Sequence, residues 1–269
     1  MMKRTRTISI SSGKGGVGKT TLVCNLAVEL AKQNRRVLIL DGDLGMANVD
    51  ILFGQRAPFS IEHVLKERCT LEEIIHPLAP NISLIPGGSG VYGLTRLANG
   101  EKQRLLDQVS ALENVYDDLI IDTAPGIDET VLYLSSAAQE ILVVVSPDPA
   151  SLTDAYALIK VLNQRYRETR FSIVCNLVRD EQEARSIFTK LCDVAARFLC
   201  VSLDFRGFIP MDLNLRQATK RGQLIVNAFP SSPAAHAISR LACNLSEYQR
   251  VTELKGGMQF FWQHLSGVA

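Results

Sequence analysis

Residues 8–27 read ISISSGKGGVGKTTLVCNLA, and the fold is decided by how this stretch is parsed. Ile8 to Ser11 is a short apolar, β-branched run. Leu22, Val23, Leu26, Ala27 and Leu30 then recur at helical spacing. Between strand and helix, Gly13, Lys14, Gly15, Gly16, Val17, Gly18, Lys19 and Thr20 match G-x-x-x-x-G-K-[ST], in the context this phosphate loop requires. The glycines let backbone N–H groups curl around phosphate oxygens, and the helix amino end adds a favourable field. Lys19 is placed to neutralise the β- and γ-phosphates. The Thr20 hydroxyl is placed to ligate Mg²⁺, and Thr21 follows it in the same first turn. One charge is left over. With Lys19 on the phosphates, Lys14 is either a solvated loop lysine or a group directed away from its own nucleotide.

Outward from this stretch, short β-branched runs alternate with longer helical patterns. Strands are expected at Thr7–Ser11, Arg36–Leu40, Asn81–Ile85, Asp118–Ile121, Ile141–Val145, Phe171–Cys175 and Phe208–Ile209. Several are apolar on consecutive residues, as strands covered on both faces should be. A second helical pattern runs through Leu152, Ala155, Tyr156, Ile159, Leu162 and Tyr166. The alternation predicts an α/β fold: a doubly wound, mostly parallel sheet with helices on both faces and ligands at the carboxyl ends of its strands. One body is expected over residues 1–251, followed by a linker and short amphipathic helix over 252–269.

Composition narrows the function classes. The chain has 269 residues, 46% of them apolar, and a net charge of +1, so no strong field draws it to nucleic acid. The six cysteines show no C-x-x-C pair and no zinc-like spacing with the four histidines, so reduced thiols are expected. MMKRTRT is basic but leads into glycines rather than a long apolar run, so a signal peptide is not expected.

Carboxylates fall where a nucleotide would need them. Asp41 and Asp43 flank a glycine at the end of the second strand, in LILDGDLGMANVDILFG. Carboxylates there can hold Mg²⁺ through its water shell or orient an attacking water; solvated turn aspartates are the plain alternative. DLIIDTAPGID ends a buried strand at Asp122 and continues into a glycine-containing segment.

K-G-G-V-G-K-T resembles the deviant Walker A motif of the MinD/ParA family. The resemblance implies an ATPase in which two copies sandwich two ATP molecules and Lys14 reaches the partner's phosphates. By the same resemblance Asp43 positions water, Asp41 and Asp122 support Mg²⁺, and the segments after them are switches I and II. VVSPDPASLTDAYALIK resembles the dimer-lining strand–turn–helix. There Asp148 could pair with Lys14 and Asp154 could contact the partner, although both also suit a helix amino end. IVCNLVRD and GFIPMDLNLRQA resemble the adenine segments, with Asn176 reading the base edge and Pro210 and Asp212 beside the ring. D-L-G-M-A-N-V-D-I-L-F-G, P-D-P-A-S-L-T-D-A-Y-A-L-I-K and F-F-W-Q-H-L together look like the regulators of flagellar number, the FlhG, FleN or YlxH group. That group implies as partners the flagellar GTPase FlhF and flagellar switch or regulatory proteins, with no specific DNA. A division-site MinD or a partition ParA is the alternative.

KGGMQFFWQHLSGVA closes the sequence. Met258, Phe261, Trp262 and Leu265 fall on one helical face. The stretch is too short to span a bilayer, so it is expected to lie on a membrane surface or to pack on protein. The family's habit of carboxyl-terminal targeting helices favours the membrane. The protein would then be cytoplasmic and reversibly bound at the inner face of the cell membrane.

Overall fold

The computed structural model describes residues 5–43, 48–87, 99–112, 115–247 and 257–265. In chain order the elements are β1 (Arg6–Ser11), α1 (Lys19–Lys32), β2 (Val37–Gly42), α2 (Val49–Leu52), α3 (Ile61–Leu65), α4 (Leu71–Ile74), β3 (His76–Ala79), β4 (Ile82–Ile85) and α5 (Asn99–Leu112). There follow β5 (Asp118–Thr123), α6 (Glu129–Ala137), β6 (Glu140–Val145), α7 (Pro149–Tyr166), β7 (Arg170–Val178), α8 (Glu181–Phe198), β8 (Ser202–Pro210), α9 (Leu213–Lys220), α10 (Ile225–Ala228), α11 (Pro233–Glu247) and α12 (Met258–Leu265).

The strands form one eight-stranded sheet in the order β3-β4-β2-β5-β1-β6-β7-β8. Every pairing is parallel except β3 with β4. β1, β2, β5 and β6 are buried along their whole length, and β2, β5 and β6 accordingly carry consecutive apolar residues, whereas β1 alternates isoleucine with serine. Successive side chains nevertheless go to opposite faces. Ile39, Ile120, Leu142 and Val144 join the core beneath α1, α10 and α11. Leu38, Leu40, Leu119 and Ile121 join the core beneath α3 to α6, and Val143, Val145 and Ile173 pack under α7 and α8.

Two differences from the sequence expectation lie at the sheet edges. β3 is a four-residue antiparallel strand, HPLA, where Pro77 and the short length hide the β pattern. β8 spans Ser202–Pro210 rather than the two residues expected. An irregularity in its register sets Ile173 opposite Phe205 but Val174 opposite Gly207. The intervening Arg206 turns inward and donates to Ser172 Oγ (2.9 Å).

Buried ion pairs tie the amino ends of the strands together. Arg35 donates to both oxygens of Asp118, joining the segment before β2 to β5. Arg6 pairs with Glu140, which also accepts from Ser172.

The carboxyl-terminal tail is docked on the body. A helix forms at Met258–Leu265, but its apolar face is packed on protein, not presented to a membrane. Met258, Phe261 and Trp262 are at most 1% exposed, in one cluster with Leu105, Leu106 and Val109 of α5 and Leu134 and Ala137 of α6. These two helices leave an apolar groove over the sheet, and α12 covers it. In this arrangement the apolar face of α12 joins the core beneath α5 and α6. The side chain of Leu265 and residues 248–256 lie outside the described residues. Among the described residues, no helix is long and apolar enough to cross a membrane.

Candidate nucleotide and magnesium site

The glycine loop sits at the carboxyl end of β1, in the middle of the sheet. Gly16 and Gly18 adopt φ of 77° and 88°, values that L side chains resist, and Gly18 leads directly into α1. Gly13 is required by space. A Cβ there would lie 2.2 Å from the backbone of Asp154, so α7 rests against the loop. Ser12 donates to the Lys14 carbonyl (2.7 Å), and Ser12's own carbonyl accepts from Gly126 N (2.9 Å). The segment after Asp122 is thereby tied to the loop. Ser12 was missing from the sequence-based site; a hydroxyl two residues before Lys14 was the available signal. Gly15 lies next to Pro125 of the same segment, and Val17 is buried.

Lys19 opens α1 and is 7% exposed. Burial lowers its pKa, and Asp122 and Asp43 act in the opposite direction. Beside it, parallel register sets Asp41 of β2 next to Asp122 of β5. Burial pushes Asp122 up to about 7; Asp41 and Asp43 add to the rise, while the Thr20 hydroxyl and Lys19 oppose it. Burial likewise raises Asp41 to about 6, against backbone N–H donation from Asp43 (3.2 Å) and Val49 (3.4 Å). Asp43 stands at the mouth, followed by residues 44–47 of the expected switch I, which lie outside the described residues.

These residues fit a divalent cation. Among the described residues the Oδ1 of Asp122 is buried with no hydrogen-bond partner, beside the Thr20 hydroxyl and a second raised carboxyl. Among the described residues no cluster of His, Cys, Asp and Glu cages an ion by itself. Mg²⁺ characteristically keeps several waters and takes few protein ligands, with substrate phosphates completing its sphere. Thr20 is the direct ligand available, and Asp41 and Asp122 would hold its waters.

Of the remaining sequence-derived residues, Asn176 touches the loop, and Pro210 and Asp212 lie at the carboxyl end of β8. Asn176 donates from Nδ2 to the Val17 carbonyl (2.7 Å), and its Oδ1 accepts from Leu177 N (2.9 Å). It therefore braces the loop with one of its two N–H groups and one of its two lone pairs. Pro210 ends β8, and Asp212 caps α9 through Asn214 N (2.8 Å) while accepting from Ala234 N of α11 (3.1 Å). Thr21 accepts at its carbonyl from Asn25.

Lys14 is not free in solvent. Its Nζ pairs with Asp148, which also caps α7 through Ala150 N (2.9 Å). Lys14 is the main cause holding the Asp148 carboxyl below its usual range, and the Ala150 N–H adds to the effect. Both side chains are roughly two-fifths exposed, at 39% and 45%.

A family model described as an AAA domain matches residues 5–174. Over 264 residues, 98% of this chain and 94% of the relative, the sequence is 38% identical to the antiactivator FleN of Pseudomonas aeruginosa. It is 32% identical to the flagellum site-determining protein YlxH of Helicobacter pylori, over 97% of this chain and 90% of that one. Among solved structures it superposes on the septum site-determining protein MinD of Pyrococcus horikoshii in complex with Mg-ADP. That match has a TM-score of 0.70 and 26% identity, over 93% of this chain and 99% of the other.

Proposed function

The chain belongs to the MinD/ParA family of ATPases, and on that premise we propose that it is a dimerising ATP switch that controls flagellar number or placement. Support for the flagellar part comes from the likeness to FleN and YlxH along nearly the whole chain. Support for the switch comes from the site.

The observation that carries the reading is the surplus lysine. Lys19 already stands at the phosphate position inside the loop, buried beneath it. Lys14 stands outside, held by an exposed carboxylate at the amino end of α7. An exposed ion pair is weak, so Asp148 can give up this ammonium when a more highly charged acceptor arrives. In the proposed dimer that acceptor is the triphosphate of the facing copy. Lys14 then places positive charge where charge develops during cleavage, as an arginine finger does. Asp148 and Asp154, both at the exposed end of α7, line the same interface. Asp43 orients the water that attacks the γ-phosphate. Thr20, Asp41 and Asp122 hold the magnesium site. A Mg²⁺ ion held there would supply positive charge against the phosphates. Asn176, Pro210 and Asp212 border the adenine.

In the proposed cycle α12 stays on the body while the protein is a monomer. Dimerisation releases the apolar face of Met258, Phe261, Trp262 and Leu265 to the inner surface of the cell membrane, and hydrolysis by a slow, partner-stimulated route returns it. FlhF-type GTPase and flagellar switch or regulatory proteins are the partners this reading expects. The deciding experiment is size-exclusion chromatography with light scattering, on wild type and Asp43→Ala, with ADP and with ATP. The variant should remain dimeric with ATP and monomeric with ADP. A variant that stays monomeric in both nucleotides while binding ATP normally overturns the proposal.

A further inference from the structure

A groove along the outer edge of the sheet meets the candidate nucleotide site only at Pro210. β8 is the last strand of the sheet, and among the described residues it pairs only with β7, which leaves its other edge without a strand partner there. Beside that edge runs α11, and between them lies a cleft of about 840 Å³. Phe208 and Pro210 line it from the strand; His236, Ser239, Arg240 and Asn244 line it from the helix. We propose that this groove seats an extended, acidic segment of a partner protein, which adds a strand to the edge of β8.

Three features select that occupant. The first is backbone access. At Gly207, φ is 142° and the space a Cβ would occupy is empty, so another main chain can approach closely. The preceding irregularity turns Arg206 inward onto Ser172 and Glu140, which keeps its side chain off the edge. The second is charge. His236, Arg240 and Asn244 recur at steps of four, on one face of α11 that borders the cleft. Arg240 is exposed and has no hydrogen-bond or ion-pair partner among the described residues, and no carboxylate lines the cleft. A single unpaired cation suits one carboxylate side chain; a nucleic-acid backbone would call for a row of them. The third is the partly buried Phe208, which lines the cleft from the strand while packing against the core under α7 and α8, and adds apolar surface at the edge for alternate side chains of an added strand.

The test pans a phage-displayed random dodecapeptide library on the full-length chain. Enriched peptides are then synthesised and titrated by fluorescence anisotropy. The peptides should carry an Asp or Glu. Arg240→Glu should weaken them at least tenfold while its ADP affinity and melting temperature match wild type. Replacing the peptide's acid with Lys should restore binding to that variant. N-methylation of alternate peptide amides should abolish binding, because an added strand depends on main-chain hydrogen bonds. If Arg240→Glu does not fold, His236→Glu carries the same expectation. The proposal is overturned if no peptide is enriched, if enriched peptides bind the charge-reversed protein unchanged, or if N-methylation has no effect. ADP affinity is read separately, so failure here leaves the nucleotide-switch reading standing.

Discussion

Lys14 and Lys19 lie five positions apart in one loop, yet their surroundings separate their work. Lys19 is buried, and its pKa is lowered by burial against the pull of Asp122 and Asp43. Removing it would leave those carboxylates without their cation. Lys14 is exposed and bonded to an exposed partner, so its removal should leave the fold untouched. Lys14→Ala is therefore expected to melt with wild type and to bind ATP. Its hydrolysis rate should fall by about 10²-fold or more, the scale of a lost charge at a phosphoryl transition state. Phosphate release assays beside thermal melts check both halves; normal turnover would refute the role in trans. The aspartates make a second residue-scale expectation. Asp41 and Asp122 ionise at about 6 and about 7 in the folded protein, against 3.8 ordinarily. Across that window the folded state binds more protons than the unfolded one. Stability of the nucleotide-free protein should accordingly fall as pH rises from about 4 to about 7. Asp122→Asn removes the larger part of this loss and should gain about 1–3 kcal/mol at pH 8 relative to wild type. Parallel denaturant titrations of the two proteins at pH 5 and pH 8 measure it. An identical pH slope in both would contradict the assignment.

At the scale of elements, α6 connects the two ends of the proposed switch. It begins just after the segment tied to the loop through Gly126 and Ser12, and it ends against α12. Ser136, near its last turn, lies 3.3 Å from His264 Nε2 of the tail. Trp262, the only tryptophan in the chain, is fully buried there, and its Nε1 has no acceptor among the described residues. A docked tail thus gains apolar burial but leaves a polar N–H unsatisfied, at about 1–3 kcal/mol. Release is cheaper than for a fully satisfied core helix. Tryptophan emission should be blue-shifted with ADP. With ATP and the Asp43→Ala protein it should shift to the red and become accessible to iodide; emission indifferent to nucleotide would mean that α12 is a permanent core element. This helix also marks the limit of what the sequence discloses. The spacing of Met258, Phe261 and Trp262 identifies an amphipathic helix, but an apolar stripe does not say whether lipid or protein will cover it. The groove between α5 and α6 that does so exists only after distant segments assemble. By contrast, the phosphate loop and Asp41, Asp43 and Asp122 are legible beforehand, because strand, glycines and carboxylates are fixed by local spacing and parallel register. β3 and most of β8 are not, since a proline in one and an irregular register in the other break the alternation that identifies strands.

For the whole molecule, the decisive quantity is the number of tails presented together. One short helix burying a few large side chains gains at most about 1.5–3 kcal/mol from each, before the cost of ordering it. It must also first give up the contacts it makes with α5 and α6. A single copy therefore has little reason to leave its own groove for a bilayer. Two copies joined through ATP would present two tails, and linkage can raise binding by about 10²–10⁴-fold with no new contact. Sedimentation with vesicles of zwitterionic and anionic lipid should follow: strong for Asp43→Ala with ATP, weak for any protein with ADP, and weak for Lys14→Ala with ATP. Deleting residues 256–269 would uncover the groove and endanger the fold. Phe261→Ser with Trp262→Ser is the companion variant, checked by ADP affinity. If the double variant still binds ADP and sediments with vesicles as strongly as Asp43→Ala in ATP, some other surface holds the membrane, and α12 serves the core alone.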